Sequence, residues 1–461
     1  MNITLIGLVL VPLGLFGFLI SSNLVYKLSI FFIPFTATAI LVVGDDDASV
    51  ILATVFFGSL WILRSMISSL LVKSRVKSYF SLNLCCCLLL LFLLICGISI
   101  ILIPLEESVQ IFSLDLGSFS SLKIQSYHLN HLFFVTYGVF FSIFMVKKNC
   151  DLKVLIETLK VYTYSLFFLV CWGIIEIVSN MYGLVFPYYI FNNTPSDSGL
   201  GFYTRQLSEI GFFRMTSVGD EPQTTARALL LSIPIFLSSF IYKIDFFSRR
   251  TDNAILFLMI LGLFATASSS GIIGFLFVII LSMLLKGYLE SRLLRPLFMI
   301  TVIAALLMLV VLTNDQLTTF FQYLFVGKFS SDSFFYRYLT IENSIEVYKS
   351  LPIFGAGFGS VTSDDLLIKL LSNTGTIGFL IFMSMLVIIQ VGLFSGIRFG
   401  VYHSEELKLI QVAVCVLFFT YWLVASFTGW SHQFQLGFFV IGLAIAFLKV
   451  KKQFLKLNHD L

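Results

Sequence analysis

Charge is scarce in this sequence: Asp, Glu, Lys and Arg make up 12% of its 461 residues, against roughly a quarter in a soluble globular chain. That shortage excludes a sizeable water-facing domain. A single basic face is missing as well, because the net charge of +4 is spread over short clusters between apolar stretches, and nucleic acid is excluded as a partner. Cysteine occurs without pairing or metal-ligand spacing. Cys85, Cys86, Cys87, Cys96, Cys171 and Cys415 lie inside apolar stretches and Cys150 follows Lys147-Lys148, so they read as membrane packing and imply neither a disulfide framework nor a metal site. The stretch from Ile3 to Ile20 lacks a basic flank and a small-residue cleavage site, and is read as a retained span.

What the sequence has in quantity is apolar length. Hydrophobic residues make up 58% of it, in recurring runs of about 20 residues, each able to cross a hydrocarbon core of roughly 30 Å as a helix. The expected fold is all-α, a polytopic transmembrane bundle of about 12–14 spans within one integral membrane domain over 1–461. Spans are expected near 3–20, 24–43, 49–72, 80–104, 129–146, 161–180, 224–242, 254–267, 271–286, 296–312, 370–394, 408–428 and 434–448. The 52 Phe, 18 Tyr and 4 Trp supply lipid-facing bulk and interfacial anchors.

Basic clusters fall on alternate connections: Lys73 to Lys77, Lys147 to Lys153, Lys243 to Arg250, Lys286 to Arg295, Arg398 to Lys408, and Lys449 to Lys452. One orientation puts all of them in the cytoplasm, together with the C-terminus. Three long connections, near 105–127, 181–223 and 313–368, then share the opposite face. The last two are rich in Gly, Ser, Asn, Asp and Tyr, as functional loops are. Inside the spans, Arg64 and Lys160 lie close enough to a cytoplasmic end to snorkel, whereas Glu176 is open to a functional or a structural role. No internal repeat is visible, which counts against a transporter such as a lipid-linked oligosaccharide flippase.

Chemistry is expected in the two long loops. The first ends in Gly219-Asp220-Glu221-Pro222, a turn that would put Thr224 and Thr225 in the first turn of a helix. Its free N–H groups and positive dipole end, flanked by Arg214 and Arg227, suit an anion; helix capping with interfacial charges is the plain alternative. The second carries Arg337, then Gly355-Ala356-Gly357-Phe358-Gly359, Asp364-Asp365, and Asn373-Thr374-Gly375-Thr376-Ile377-Gly378. The alternating glycines follow no strand, so a dinucleotide site is disfavoured. Glu221 is open to acting on an acceptor hydroxyl or to pairing with an arginine, and Asp365 to acting as a base or to capping a helix. His432 and the Asp45-Asp46-Asp47 run read as interfacial and solvated groups. His128 and His131 begin a span without an evident partner.

The ordered series of loop arginine, Leu351-Pro352, Gly-x-Gly, a polar pair and a Gly-x-x-Gly helix resembles the O-antigen polymerase and O-antigen ligase superfamily of bacterial membrane glycosyltransferases. The matching pieces are Arg214 with Gly219-Asp220-Glu221-Pro222, the Ser268-Ser269-Ser270-Gly271 break, and Arg337 through Gly378. The resemblance implies a GT-C-like fold in the bacterial inner membrane with periplasmic loops, and a metal-independent transfer without cofactor. It implies undecaprenyl-diphosphate-linked glycans as donor and acceptor within the lipid bilayer, and leaves a chain-length regulator protein open as a further partner. Arg214 and Arg337 resemble the loop arginines that would hold the diphosphate, with Arg227 grouped beside them; Arg suits the task because it stays charged and grips phosphate through a planar fork. Glu221, Asp220 and Asp365 are then the candidates to assist the attacking hydroxyl. Ligases of the family carry a His at the end of the large outer loop, where this chain reads Thr362-Ser363-Asp364-Asp365. A polymerase is therefore expected in preference to a ligase.

Overall fold

The computed structural model describes residues 2–43, 49–71, 83–103, 109–113, 118–194, 206–207, 212–290, 318, 332–397, 404–429 and 435–459. Among them helices dominate: α1 (Gly7–Ile20), α2 (Ser22–Phe31), α3 (Ala53–Leu71), α4 (Leu84–Leu102), α5 (Ser126–Lys148), α6 (Leu152–Met181), α7 (Tyr188–Phe191), α8 (Pro222–Tyr242), α9 (Arg249–Ala265), α10 (Ser269–Leu289), α11 (Asp332–Ser350), α12 (Leu366–Phe394), α13 (Glu405–Thr428) and α14 (Leu436–His459). Seven of these, α4, α5, α6, α8, α10, α12 and α13, are long and apolar enough to cross a membrane, and Gly7–Ile20 and Ala53–Ser69 are shorter apolar helices. The protein is an all-α, multi-pass membrane protein. The expected span 296–312, His432 and Asp45 to Asp47 lie outside the described residues.

The expected span 24–43 is not one helix. It folds as α2, a turn through Pro34, and strand β2 (Ala39–Val43), which pairs antiparallel with β1 (Asn2–Ile3) and β3 (Ser49–Leu52). A proline cannot donate the N–H that would continue the helix, and the β-branched run after it suits a strand. Two-stranded pairings also join Gln110–Ser113 to Ser118–Ser121 and Gln206–Leu207 to Phe212–Phe213.

α8 and α13 form the centre of the bundle, with 78% and 83% of their apolar windows buried, against 33% for α10 and α12. The outer faces of the last two are left for lipid. Glycines let the inner helices approach closely: Gly274 packs on Leu230 and Gly138 on Phe438 with no room for a methyl group. Of the charged residues inside spans, Arg64 donates to the Gly17 carbonyl at 3.1 Å and Lys160 lies 4.9 Å from the Phe247 ring centroid.

α12 is two helices. Gly375, with φ 63° and ψ −171°, breaks it within the apolar stretch, and the segment after α11 fills the gap. Thr376 donates its backbone N–H to the Pro352 carbonyl at 2.8 Å, and Ala356 donates to the Ser372 carbonyl at 2.8 Å. Asn373 accepts from Gly359 (2.9 Å) and Val361 (3.1 Å) and donates to the Val361 carbonyl (2.8 Å). The loop thereby supplies the backbone partners that an unbroken helix would have provided for itself, which an apolar setting requires. Gly355 and Gly359, at φ +70° and +94°, let this backbone lie against Asn373 and against the His131 ring. A Cβ at Gly375 would overlap the Ile353 carbonyl. Gly375→Ala is expected to cost about 1–3 kcal/mol from the backbone alone, seen as a lower thermal midpoint in detergent, whereas Gly97→Ala, inside α4 where a Cβ meets nothing, is expected to leave it the same or slightly higher.

Candidate functional site

The turn from Arg214 to Glu221 is built from buried polar contacts. Glu176, fully buried near the end of α6, accepts from the Thr216 N–H (2.9 Å), the Ser217 N–H (2.6 Å) and the Thr216 hydroxyl (2.5 Å). Ser217, held at φ 55°, donates its hydroxyl to the Leu169 carbonyl. Upstream, Met215 donates its N–H to the Ala265 carbonyl at 2.9 Å and Arg214 donates Nε–H to the Thr266 carbonyl at 3.2 Å, so this strand of chain caps the carbonyl end of α9. Downstream, Thr225 donates to the Thr216 carbonyl at 2.6 Å, and Gly219 has no room for a side chain beside that Thr225 hydroxyl. The expected helix start is observed: Glu221 is the N-cap of α8 and Pro222 opens it.

Asp220 and Glu221 leave this turn in different surroundings. The Asp220 Oδ1 accepts from the Thr36 hydroxyl at 2.8 Å, which the α2–β2 connection brings across the bundle end. Burial pushes the Asp220 carboxyl up, opposed by hydrogen bonds from Thr36 and Thr224. Glu221 keeps solvent access yet lies within reach of the charges of Asp220, Arg227, Arg337 and Asp364. Burial raises its carboxyl first and the Asp220 and Asp364 charges add to that, against Arg337 and Arg227, which lower it.

Those partners define the rest of the site. Arg337, on α11, pairs with Asp364, Nε to Oδ2 at 3.2 Å. Arg227, in the second turn of α8, donates Nη2–H to the Thr428 carbonyl (2.5 Å) and hydroxyl (2.7 Å), while its buried Nε–H makes no hydrogen bond among the described residues. The turn after Thr428 passes against the backbone of Asp364. Lys369, one turn into α12, interacts with the charges of both Asp364 and Arg227. The structure therefore gathers Asp220, Glu221, Arg227 and Arg337, all candidates from the sequence, and adds Asp364 and Lys369. Arg214 is anchored instead on Thr266, and Asp365 has one oxygen committed to capping α12, accepting from the Ile368 N–H at 3.0 Å.

Both N-terminal histidines of α5 find partners in the glycine loop. The Gln125 N–H donates to His128 Nδ1 at 3.0 Å, which leaves Nε2–H to donate to the Ser360 hydroxyl at 2.9 Å. His131 packs on Gly359 and interacts with the Lys369 charge. The sequence carried one usable signal for Lys369, a lone cation entering an apolar run. It carried none for Thr36, which reaches Asp220 across the fold, and for His131, noted at the start of α5, it gave no hint of the glycine loop.

Residues 254–383 match a family model described as O-antigen ligase. The match supports the O-antigen ligase and polymerase superfamily, and with it a membrane function of that type. No curated protein matches the chain. The matched segment contributes Arg337, Asp364 and Lys369 to the site, whereas Asp220, Glu221 and Arg227 precede it.

Removing the Glu176 carboxylate strands two buried N–H groups and a hydroxyl, each costing about 1–3 kcal/mol. Glu176→Ala is therefore expected to unfold at clearly lower temperature and to expose the 214–221 turn to protease. Glu176→Gln, which keeps an acceptor for both N–H groups and offers its amide to Thr216, is expected to recover most of the loss.

Proposed function

We propose that the protein is a polymerase that joins undecaprenyl-diphosphate-linked oligosaccharide repeats into O-antigen or a related surface polysaccharide, on the periplasmic face of the bacterial inner membrane. The observation that carries this reading is that Arg337 and Arg227 both act on the charge of Glu221, with Asp220 beside it in the same turn. Cations that grip a diphosphate and a carboxylate of raised pKa are what glycosyl transfer from a lipid diphosphate needs.

In the proposed reaction a hydroxyl at the non-reducing end of a new lipid-linked repeat attacks the anomeric carbon of the growing chain. The bond from that carbon to the diphosphate oxygen breaks, and its electron pair leaves with undecaprenyl diphosphate. Glu221 takes the hydroxyl proton. Arg337 and Arg227 stabilise the charge that develops on the leaving oxygen. Arg214, committed to the Thr266 carbonyl, holds the turn that carries Glu221. Asp220, bonded to Thr36, keeps Glu221 basic through its neighbouring charge. Asp364 orients Arg337, and Asp365 serves as a helix cap.

A ligase, which moves finished polymer onto a lipid A core, is the second reading. It is favoured by the description of the matching family model and by His131, which reaches the glycine loop from α5 where the loop itself has no His. A deletion strain separates the two: a polymerase loss leaves a single attached repeat, and a ligase loss leaves none. A flippase would instead show net translocation of lipid-linked glycan in vesicles.

Arg337→Ala and Arg227→Ala are expected to abolish the long-chain ladder in cells, with a fall in rate of about 10²–10³-fold for each. A normal ladder from both would sink the mechanism. The Arg337–Asp364 pair is partly exposed, with 35% and 48% of its side chains accessible, and contributes only about 0–1 kcal/mol to stability; loss of activity in Arg337→Ala is therefore expected without loss of folded protein.

The base must be ionised to work. Because the Glu221 pKa is raised in the fold, activity is expected to fall as pH drops through a value above the ordinary glutamate range. Arg337 lowers that pKa, so the acid limb of the residual rate in Arg337→Ala should move to higher pH, and Glu221→Gln should abolish the limb. An unmoved limb measured with purified protein and lipid-linked substrate would remove Glu221 from the role.

A further inference from the structure

The connection that leaves α6 is apolar where a water-facing loop would be charged. From Ile177 to Ser196 it has no Asp, Glu, Lys or Arg, and Met181, Tyr182, Leu184, Val185 and Tyr189 are 69%, 78%, 62%, 95% and 62% exposed. The segment is nonetheless held in place. Leu184 donates its N–H to the Ser179 carbonyl at 2.8 Å, Asn180 donates to the Tyr188 hydroxyl at 2.9 Å, and Phe186 is buried against Trp172, with ring centroids 5.1 Å apart. Gly183, at φ +67°, turns the chain so that Leu184 and Val185 project.

The exposed residues continue a stripe along α6. Tyr164, Phe167, Ile175, Val178 and Tyr182 recur at three- and four-residue spacing, with Cys171 between them, and all five are exposed. On a membrane-spanning helix such a stripe faces lipid, and the projecting loop extends it without a charged residue intervening.

We propose that residues 181–189 form an apolar ledge seated in the bilayer leaflet at the site's end of the bundle, its occupant being the acyl-chain border of the phospholipid membrane. A rigid apolar surface continuous with the lipid-facing side of a span is stabilised there and would be penalised in water. The far end of the ledge is bonded to the site. Thr38 donates its hydroxyl to the Phe191 carbonyl (2.8 Å), Asn193 bridges the backbone of Ala39 (2.7 and 3.0 Å), and Asn192 donates to the Gly219 carbonyl (2.7 Å), next to Asp220. The depth of the ledge thus sets the height of the Asp220–Glu221 turn above the acyl chains, the level at which a lipid-linked diphosphate presents its headgroup. The seat is independent of the chemistry proposed above; only this use of it rests on that reading.

The test is the Val185→Trp protein reconstituted in phosphatidylcholine–phosphatidylglycerol vesicles, with wild-type emission subtracted. Position 185 is almost wholly exposed, so the substitution leaves packing intact, and Leu184→Trp provides a second probe. Bromine on the acyl chains is expected to quench the added emission at both positions, and aqueous iodide to leave it unchanged. Quenching by iodide would place the segment in water. Quenching by neither would mean that protein covers it, a second copy included. Either result, or disagreement between the two positions, overturns the ledge. None of these readouts uses enzymatic activity, so failure here and failure of the proposed reaction are told apart.

Discussion

An apolar medium leaves no backbone polar group to be satisfied by water, and the break in α12 shows how the fold meets that constraint. Gly375 interrupts the helix where hydrocarbon would penalise it, and the Pro352–Val361 segment restores the partners from outside, through Pro352, Ala356 and the Asn373 side chain. The same repair positions the candidate site. Because the loop must lie in the break, the chain after it emerges at one place, and Asp364 and Lys369 are fixed relative to α8 and to the end of α13. His128 and His131 are recruited to the loop for the same reason: Ser360 and Gly359 are brought against the start of α5.

A second buried anchor holds the opposite wall. Glu176 is costly to bury unless its oxygens are used, and it spends them on the turn that precedes α8. The turn in turn closes the carbonyl end of α9 through Met215 and Arg214. Two elements that would each be unfavourable alone, a buried carboxylate and an uncapped helix end, satisfy each other's neighbours, and the turn they hold carries Asp220, bonded to Thr36, and Glu221, which keeps solvent access. Their pKa values are pushed up by this placement: burial acts on both, hydrogen bonds oppose it at Asp220, and at Glu221 the Asp220 charge adds to it while Arg337 and Arg227 limit the rise.

Much of this was legible in the order of residues. Apolar runs at spanning length predict the helices α4 to α6, α8, α10, α12 and α13, because a helix that crosses a bilayer carries its requirement in composition alone. The Gly-Asp-Glu-Pro turn likewise announces the start of α8, since capping and proline preference are local. Local rules failed for 24–43, where hydropathy indicated a span and the chain forms α2 and a strand; pairing with Asn2–Ile3 and Ser49–Leu52 is a non-local gain that composition does not register. They were also silent on Asp364 against Asp365, neighbours of one chemistry, of which one pairs with Arg337 and the other caps α12.

By itself, then, the sequence determined an all-α membrane protein and a short set of charged residues near its loops, because the solvent a segment prefers is a property of the segment. Tertiary structure alone decided which of those charges meet. Arg227 and Arg337 are 110 residues apart and both act on the charge of Glu221, Thr36 reaches Asp220 across 184 residues, and Arg214 turns to a helix carbonyl. Hydrogen bonds need contact, and charge–charge energies weaken with distance and are screened over about 10 Å, so the partners a charge finds depend on how helices pack and loops return, which no spacing along the chain encodes.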